Sequence, residues 1–230
     1  MKIKHKIPWQ ELSKLPDSKK LGKRKIQILD ASLKILATLG IQELSITRIS
    51  KETSLSKSLI LYHFDTKTKI LEELYFFNNK ILSYLIDKYD NSDQRFEMRI
   101  ANMLLAMQQW TFFNDEISEL ILLMFYESNK SPRLKNLFEQ NKQMLRLRFE
   151  RIFLESMRYK TLEEVRIATS GVQSLISGTL IAAIREENIQ DLEDSLFHLR
   201  MNIETLLKVE VPAIELKATP FAAPLSSFNI

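Results

Sequence analysis

The sequence predicts an all-α chain, and the placement of proline and glycine carries that expectation. The six prolines are Pro8, Pro16, Pro132, Pro212, Pro220 and Pro224, so residues 17–131 and 133–211 hold none. Glycine occurs only at Gly22, Gly40, Gly171 and Gly178. Strand-rich chains need frequent Gly/Pro turns, whereas long helices exclude proline from their interiors. Between these sparse breakers, apolar residues recur at three- and four-residue spacing, the period of a helix with one buried face.

The first helix is expected over Lys20–Leu39, with Ile26, Leu29, Leu33, Leu36 and Leu39 on one stripe and Gly40 just past its end. Ser45 is a good N-cap for a short second helix that buries Ile46 and Ile49. After a turn at Thr53–Leu55, Ser56 caps a third short helix reaching Leu61 or beyond. Thr66 precedes a long fourth helix to about Asp90, roughly 35 Å at ~1.5 Å per residue. Further helices follow over Ser92–Phe113, Asp115–Asn129, Pro132–Tyr159, Thr161–Glu187 and Gln190–Val209. Ser131-Pro132 sets a cap before a proline at a first helical position, and Thr161 through Glu164 has capping-box spacing. Residues 211–230, rich in Pro, Ala and Ser, read as an irregular tail, either disordered or laid on an apolar groove through Phe221, Leu225 and Phe228.

Charge divides the chain. Residues 1–70 carry 15 Lys/Arg against 6 Asp/Glu, whereas residues 71–230 carry 18 against 23. A basic leading third on an acidic remainder is the pattern of a polyanion-binding head, and the excess continues past the leading lysines into Lys23, Arg24, Lys25, Lys51, Lys57, Lys67 and Lys69. A solvated basic leader is the alternative. The chain contains no cysteine, which excludes disulfides, thiolate metal sites and a cysteine nucleophile. Histidine occurs only at His5, His63 and His198, too scattered for a metal cluster, and the four glycines are too far apart for a phosphate loop. The carboxylate pairs Asp115/Glu116 and Glu186/Glu187 sit at predicted helix ends, where charge is commonplace. No enzyme, metal or cofactor is expected. With no apolar run long enough for a bilayer and no secretory leader, a cytoplasmic protein is expected.

Three helices within about 45 residues, the last two short and joined by a tight turn, have helix-turn-helix spacing, although an inert bundle has it too. The residues then become more specific. Arg24, Ile28 to Ala31, Gly40, Leu44 to Ser50, Leu55 to Phe64, Lys67 and Leu71 together resemble the N-terminal domain of the tetracycline-repressor (TetR) family of regulators. The resemblance covers roughly residues 20–75, and its sharpest element is Ser56-Lys57 through Tyr62-His63-Phe64 followed by Lys67. It implies a DNA-binding transcriptional regulator, usually a repressor, that acts on an operator as a homodimer and is released by a small apolar effector. Implied roles follow residue by residue. Ser56, Lys57, Ser58 and Leu59 fall where the family's recognition helix meets bases and nearby phosphates; Tyr62, His63 and Lys67 fall where it anchors the DNA backbone; Ser45 and Thr47 match the start of its second helix. Two departures stand out: Ser54 and Ser58 replace residues that are often glycine, and Leu61 stands where a tyrosine is usual. The implied reading face is therefore greasier, leaning on contact with thymine methyls as well as on hydrogen bonds.

The expected division is a basic extension over 1–19, a helix-turn-helix domain over 20–66, a regulatory and dimerising domain over 67–210, and the tail over 211–230. In the eighth helix Ala168, Gly171, Leu175, Gly178 and Ala182 form a stripe of mostly small residues, which serves either internal packing or, as the resemblance implies, a dimer interface. Met103, Met107, Trp110 and Phe125 are either plain core or, as the resemblance implies, the lining of the effector pocket. A helical adaptor that binds protein through Leu59, Leu61 and Tyr62 is the rival reading of the head.

Overall fold

The computed structural model describes Trp9 and residues 21–111, 115–184 and 189–213. Among these residues there are nine helices and no strand: α1 (Lys23–Leu39), α2 (Ile46–Thr53), α3 (Lys57–His63), α4 (Lys67–Tyr89), α5 (Phe96–Thr111), α6 (Asp115–Glu127), α7 (Pro132–Glu155), α8 (Leu162–Ala183) and α9 (Ile189–Leu207). The all-α expectation holds, and most helix ends fall within a few residues of those read from the sequence. The leading lysines through Lys20, the Glu186/Glu187 pair and the tail beyond residue 213 lie outside the described residues. No helix among the described residues is long and apolar enough to cross a membrane.

The ends fall where side chains can satisfy them. Gly40, with φ 81°, turns the chain out of α1 while its N–H bonds the Leu36 carbonyl. Thr161 and Glu164 exchange both bonds of a capping box at the start of α8. At the end of α9 the turn is made without glycine: Lys208 takes φ 52° and the Val209 N–H reaches back to the Glu204 carbonyl at 3.2 Å. Val211 then tucks in, its N–H on Glu204 Oε1 at 2.9 Å and its carbonyl accepting from Arg200 at 3.3 Å.

The chain packs as two compact units. The N-terminal unit takes residues 3–84 and 112–137, and the C-terminal unit takes 85–111 and 138–218. In the N-terminal unit α1 packs against both α2 and α6. That double duty widens its buried face beyond the expected stripe: Ile28, Leu29, Leu33, Ile35 and Leu36 are buried, whereas Leu39 is exposed.

In the C-terminal unit Phe149 and Phe153 of α7 are fully buried, and Phe153 meets Phe96 and Tyr159 at ring-centroid distances of 5.7 and 5.3 Å. Beside this cluster the buried Arg99 guanidinium makes a fork with Asp90, at 2.9 and 3.2 Å, and reaches Glu155 at 2.5 Å. It thereby ties the end of α4, the first turn of α5 and the end of α7. The Glu155 carboxyl is held below its ordinary range by hydrogen bonds from Arg151 and then Arg99. A carboxyl that binds its proton less tightly folded than unfolded stabilises the fold above the ordinary glutamate value, about 4.3, and that contribution disappears as pH falls through its lower folded value.

Replacing Arg99 by methionine leaves two carboxylates facing a buried gap. Both are partly in water, so the cost lies toward the low end of the ~3–5 kcal/mol typical of broken buried pairs. Urea unfolding of the variant should show that loss at pH 7. Between pH 5 and 3 the wild type should lose more stability than the variant, because only the wild type still has the Arg99–Glu155 bond to lose.

Candidate nucleic-acid interface

The candidate site is built from α1 outward. Ile49 of α2 and Ile60 of α3 are completely buried with Leu44, Leu55 and Phe64, so both short helices are seated by one side chain each and by their flanks. Ser45 caps α2, its Oγ accepting from the Arg48 N–H at 3.2 Å, and Ser56 caps α3 by accepting from the Leu59 N–H at 3.2 Å. Both caps were expected from sequence. Each satisfies a backbone donor that a short helix would otherwise leave open.

The turn between α2 and α3 is the most constrained point. Ser54 adopts φ 56°, ψ 23°, the left-handed region. Neighbouring side chains hold it there. Gln27 Nε2 of α1 donates to the Thr53 carbonyl at 2.9 Å. Ser50 Oγ donates to the Leu55 carbonyl at 2.6 Å, and Thr53 Oγ1 donates to the Ile49 carbonyl at 2.7 Å while accepting from the Leu55 N–H at 3.3 Å. The left-handed turn explains why glycine is often found here in the family that the sequence resembles, and the serine at 54 takes the same conformation without it.

With Ile60 facing inward, a rotation of ~100° per residue turns Lys57, Ser58, Leu61 and Tyr62 outward and leaves Leu59 and His63 on the flanks. Burial agrees: Leu59 and His63 are half-buried, Lys57 and Ser58 exposed, Leu61 43% exposed and Tyr62 81% exposed. The Tyr62 ring stands edge-on to His63, with centroids 5.2 Å apart. Ser56 Oγ and Ser58 Oγ lie 3.1 Å from each other. Ser45 and Thr47 are both exposed at the start of α2.

Lys67 is placed differently from its neighbours. It is half-buried at the start of α4, and its ammonium donates to the Ile41 carbonyl in the α1–α2 connection. Burial lowers its pKa, opposed by the nearby Glu127 carboxylate. One of its three donors therefore fastens α4 to the head. Sequence reasoning did not find this bond, nor the roles of Gln27, Ser50 and Ser54 in the turn. Ser54 alone left a signal, as a departure from glycine.

The other candidate residues lie elsewhere. Met103, Met107 and Trp110 are buried in the C-terminal unit along one face of α5, whereas Phe125 is half-buried in the N-terminal unit. On α8 the small-residue stripe divides. A Cβ on Gly171 would stand 2.8 Å from Leu206 Cδ2, so this glycine lets α9 approach closely within the chain. Gly178 faces open space, Ala182 is exposed, Ala168 is buried and Leu175 is half-buried. Ile167 on α8 and Phe197 on α9 are 64% and 51% exposed. Among the described residues no group of three His, Asp or Glu side chains is placed to hold a metal ion.

Residues 28–74, the span of this site, match the sequence profile of bacterial regulatory proteins, tetR family. Over 185 residues the chain is 24% identical to the HTH-type transcriptional regulator BetI of Pectobacterium atrosepticum, covering 75% of this chain and 88% of BetI. A transcriptional regulator from Rhodococcus sp. Rha1 superposes with a TM-score of 0.70 at 13% identity, over 82% of this chain and 99% of that one. A TetR transcription regulator from Haloarcula marismortui superposes with a TM-score of 0.68 at 18% identity, over 79% and 97%. At these identities the solved structures establish the fold.

The turn yields a direct test. Ser54→Gly removes a left-handed strain of about 1–2 kcal/mol and adds about 0.5–1 kcal/mol of unfolded-chain entropy, so denaturant unfolding should find it slightly more stable. Ser54→Val should be less stable than wild type, and Gln27→Ala should cost about 1 kcal/mol through the lost bond to Thr53.

Proposed function

Given that this chain belongs, by its N-terminal domain, to the tetR family of bacterial regulatory proteins, whose members are transcriptional regulators, we propose that it reads operator DNA as a homodimer, represses from that site, and lets go when a small apolar effector binds. The observation that carries this reading is the outward face of α3. Lys57, Ser58, Leu61 and Tyr62 stand exposed on a helix whose inward residue, Ile60, is completely buried. A large aromatic ring held in water beside a lysine and hydroxyls suits a groove with phosphate walls and base edges at its floor.

In this reading residues 20–66 read DNA, and residues 67–210 sense and dimerise. Ser56, Lys57, Ser58 and Leu59 meet bases and nearby phosphates. Tyr62 and His63 anchor the backbone, joined by the two donors that Lys67 does not spend on Ile41, and Ser45 and Thr47 bring α2 to a phosphate. Leu61 adds apolar contact with thymine methyls. The dimer forms on the open part of the α8–α9 face, at Gly178 and Ala182 with Ile167 and Phe197, and extends along the stripe through Ala168, Gly171 and Leu175. The effector sits among Met103, Met107, Trp110 and Phe125, in the cytoplasm where the operator is. It releases DNA by favouring one tilt of α4, to the extent that it binds that state better.

The exposure of Leu61 and Tyr62 also supports a second reading, in which the head docks on a protein. Salt separates the two. Duplex binding should weaken steeply between 50 and 200 mM salt, and Lys57→Ala should lower the slope of log affinity against log salt by ~0.9 for the phosphate contact it loses. Binding that is absent at low salt, or a slope that ignores Lys57, leaves the adaptor reading standing. For the dimer, Ile167→Glu with Phe197→Glu should sediment as a monomer at micromolar concentration and lose about 10²–10⁴ in operator affinity, the usual gain from two tethered contacts.

A further inference from the structure

Trp9 lies far upstream of the matched segment 28–74, among lysines that read as a solvated leader, yet it is only 4% exposed. Its indole Nε1–H donates to Asp30 Oδ1 at 3.3 Å, and its ring meets Phe77 edge-on, with centroids 5.7 Å apart and planes at 82°. Asp30 belongs to α1 and Phe77 to α4, so one side chain touches the helix that carries the reading head and the helix that leads away from it. The Asp30 carboxylate is itself steadied by Lys34 at 3.2 Å on the same helix.

The spacing of the attachments gives this contact its consequence. Lys67 fastens the start of α4 to the Ile41 carbonyl. Phe77 lies ten residues further along α4, about 15 Å at ~1.5 Å per residue. A single attachment is a pivot, whereas two attachments that far apart set an angle. Around them α6 packs on α1, and Asn78 of α4 donates to Met124 Sδ of α6 at 3.1 Å. Trp9 closes that triangle by joining α1 to α4 directly.

We infer that Trp9 is a positioning residue for operator reading: it holds α1 at a fixed angle to α4 and so fixes the separation of the two recognition helices in the dimer. The inference rests on the operator-binding dimer proposed above. It gives the leading segment a role in half-site spacing that its lysines alone could not supply, since charge attracts DNA at any spacing.

The test uses the full chain and a two-fold duplex selected by the purified protein from a random library. Affinity is then compared on that duplex and on versions with the half-sites moved apart or together by one base pair. A fixed angle makes the wild type lose about tenfold on the shifted duplexes, the order of one lost base contact. Trp9→Ala should bind the selected duplex more weakly and lose no more than about threefold on shifting. Trp9→Phe, which keeps a ring against Phe77, should retain most of the wild-type penalty. A side chain that only stabilises the head would change affinity for every spacing by one factor, so an unchanged penalty in Trp9→Ala overturns the inference. If circular dichroism shows that Trp9→Ala has lost helix, Trp9→Leu carries the same comparison. If the wild type selects no two-fold duplex, the operator reading itself fails and the role of Trp9 falls with it.

Discussion

A left-handed turn at Ser54 governs how this chain meets its surroundings. Residues α2 and α3 are too short to stand alone, since isolated helices of seven or eight residues are marginal in water. They exist because Ile49 and Ile60 are buried and because the turn between them has one allowed shape. The Gln27–Thr53 and Ser50–Leu55 bonds hold that shape against the cost of a left-handed serine. Every exposed side chain on α3 takes its direction from it. A slip of one residue would turn Ile60 outward by ~100° and bury part of the reading face.

Much of the fold was legible because its signals are local. The caps at Ser45, Ser56 and Thr161 and the stop at Gly40 are short-range features with one physical meaning each, and the structure uses all four. The outward set on α3 was also within reach once Ile60 was placed inside. What escaped depends on contacts across many residues. Gln27 lies 26 residues from Thr53, Lys67 lies 26 from Ile41, and Trp9 lies 21 from Asp30. No period or motif links such pairs. Local reading also misjudged the width of the α1 stripe, because that helix serves α2 and α6 at once and buries Ile28 and Ile35 as well.

The small-residue stripe on α8 shows why spacing could not choose between internal packing and assembly. Both readings hold, at different points of the same stripe. Gly171 is consumed by Leu206 of the neighbouring α9, while Gly178, seven residues and about two turns later, faces open space. The exposed Ile167 and Phe197 lie on the same pair of helices. An apolar surface left open there is what a two-fold contact between copies would cover.

The central claim is that α3 enters a major groove, with a second copy doing the same one turn away. Hydroxyl-radical and dimethyl-sulfate footprinting of the purified full chain on its selected duplex measures this directly. The account predicts two protected major-groove patches on one face of the duplex, with centres separated by about 34–36 Å or a multiple of it, both lost together in Tyr62→Ala with Lys57→Ala. A footprint confined to the minor groove, a single patch, or protection that survives the double substitution would contradict it.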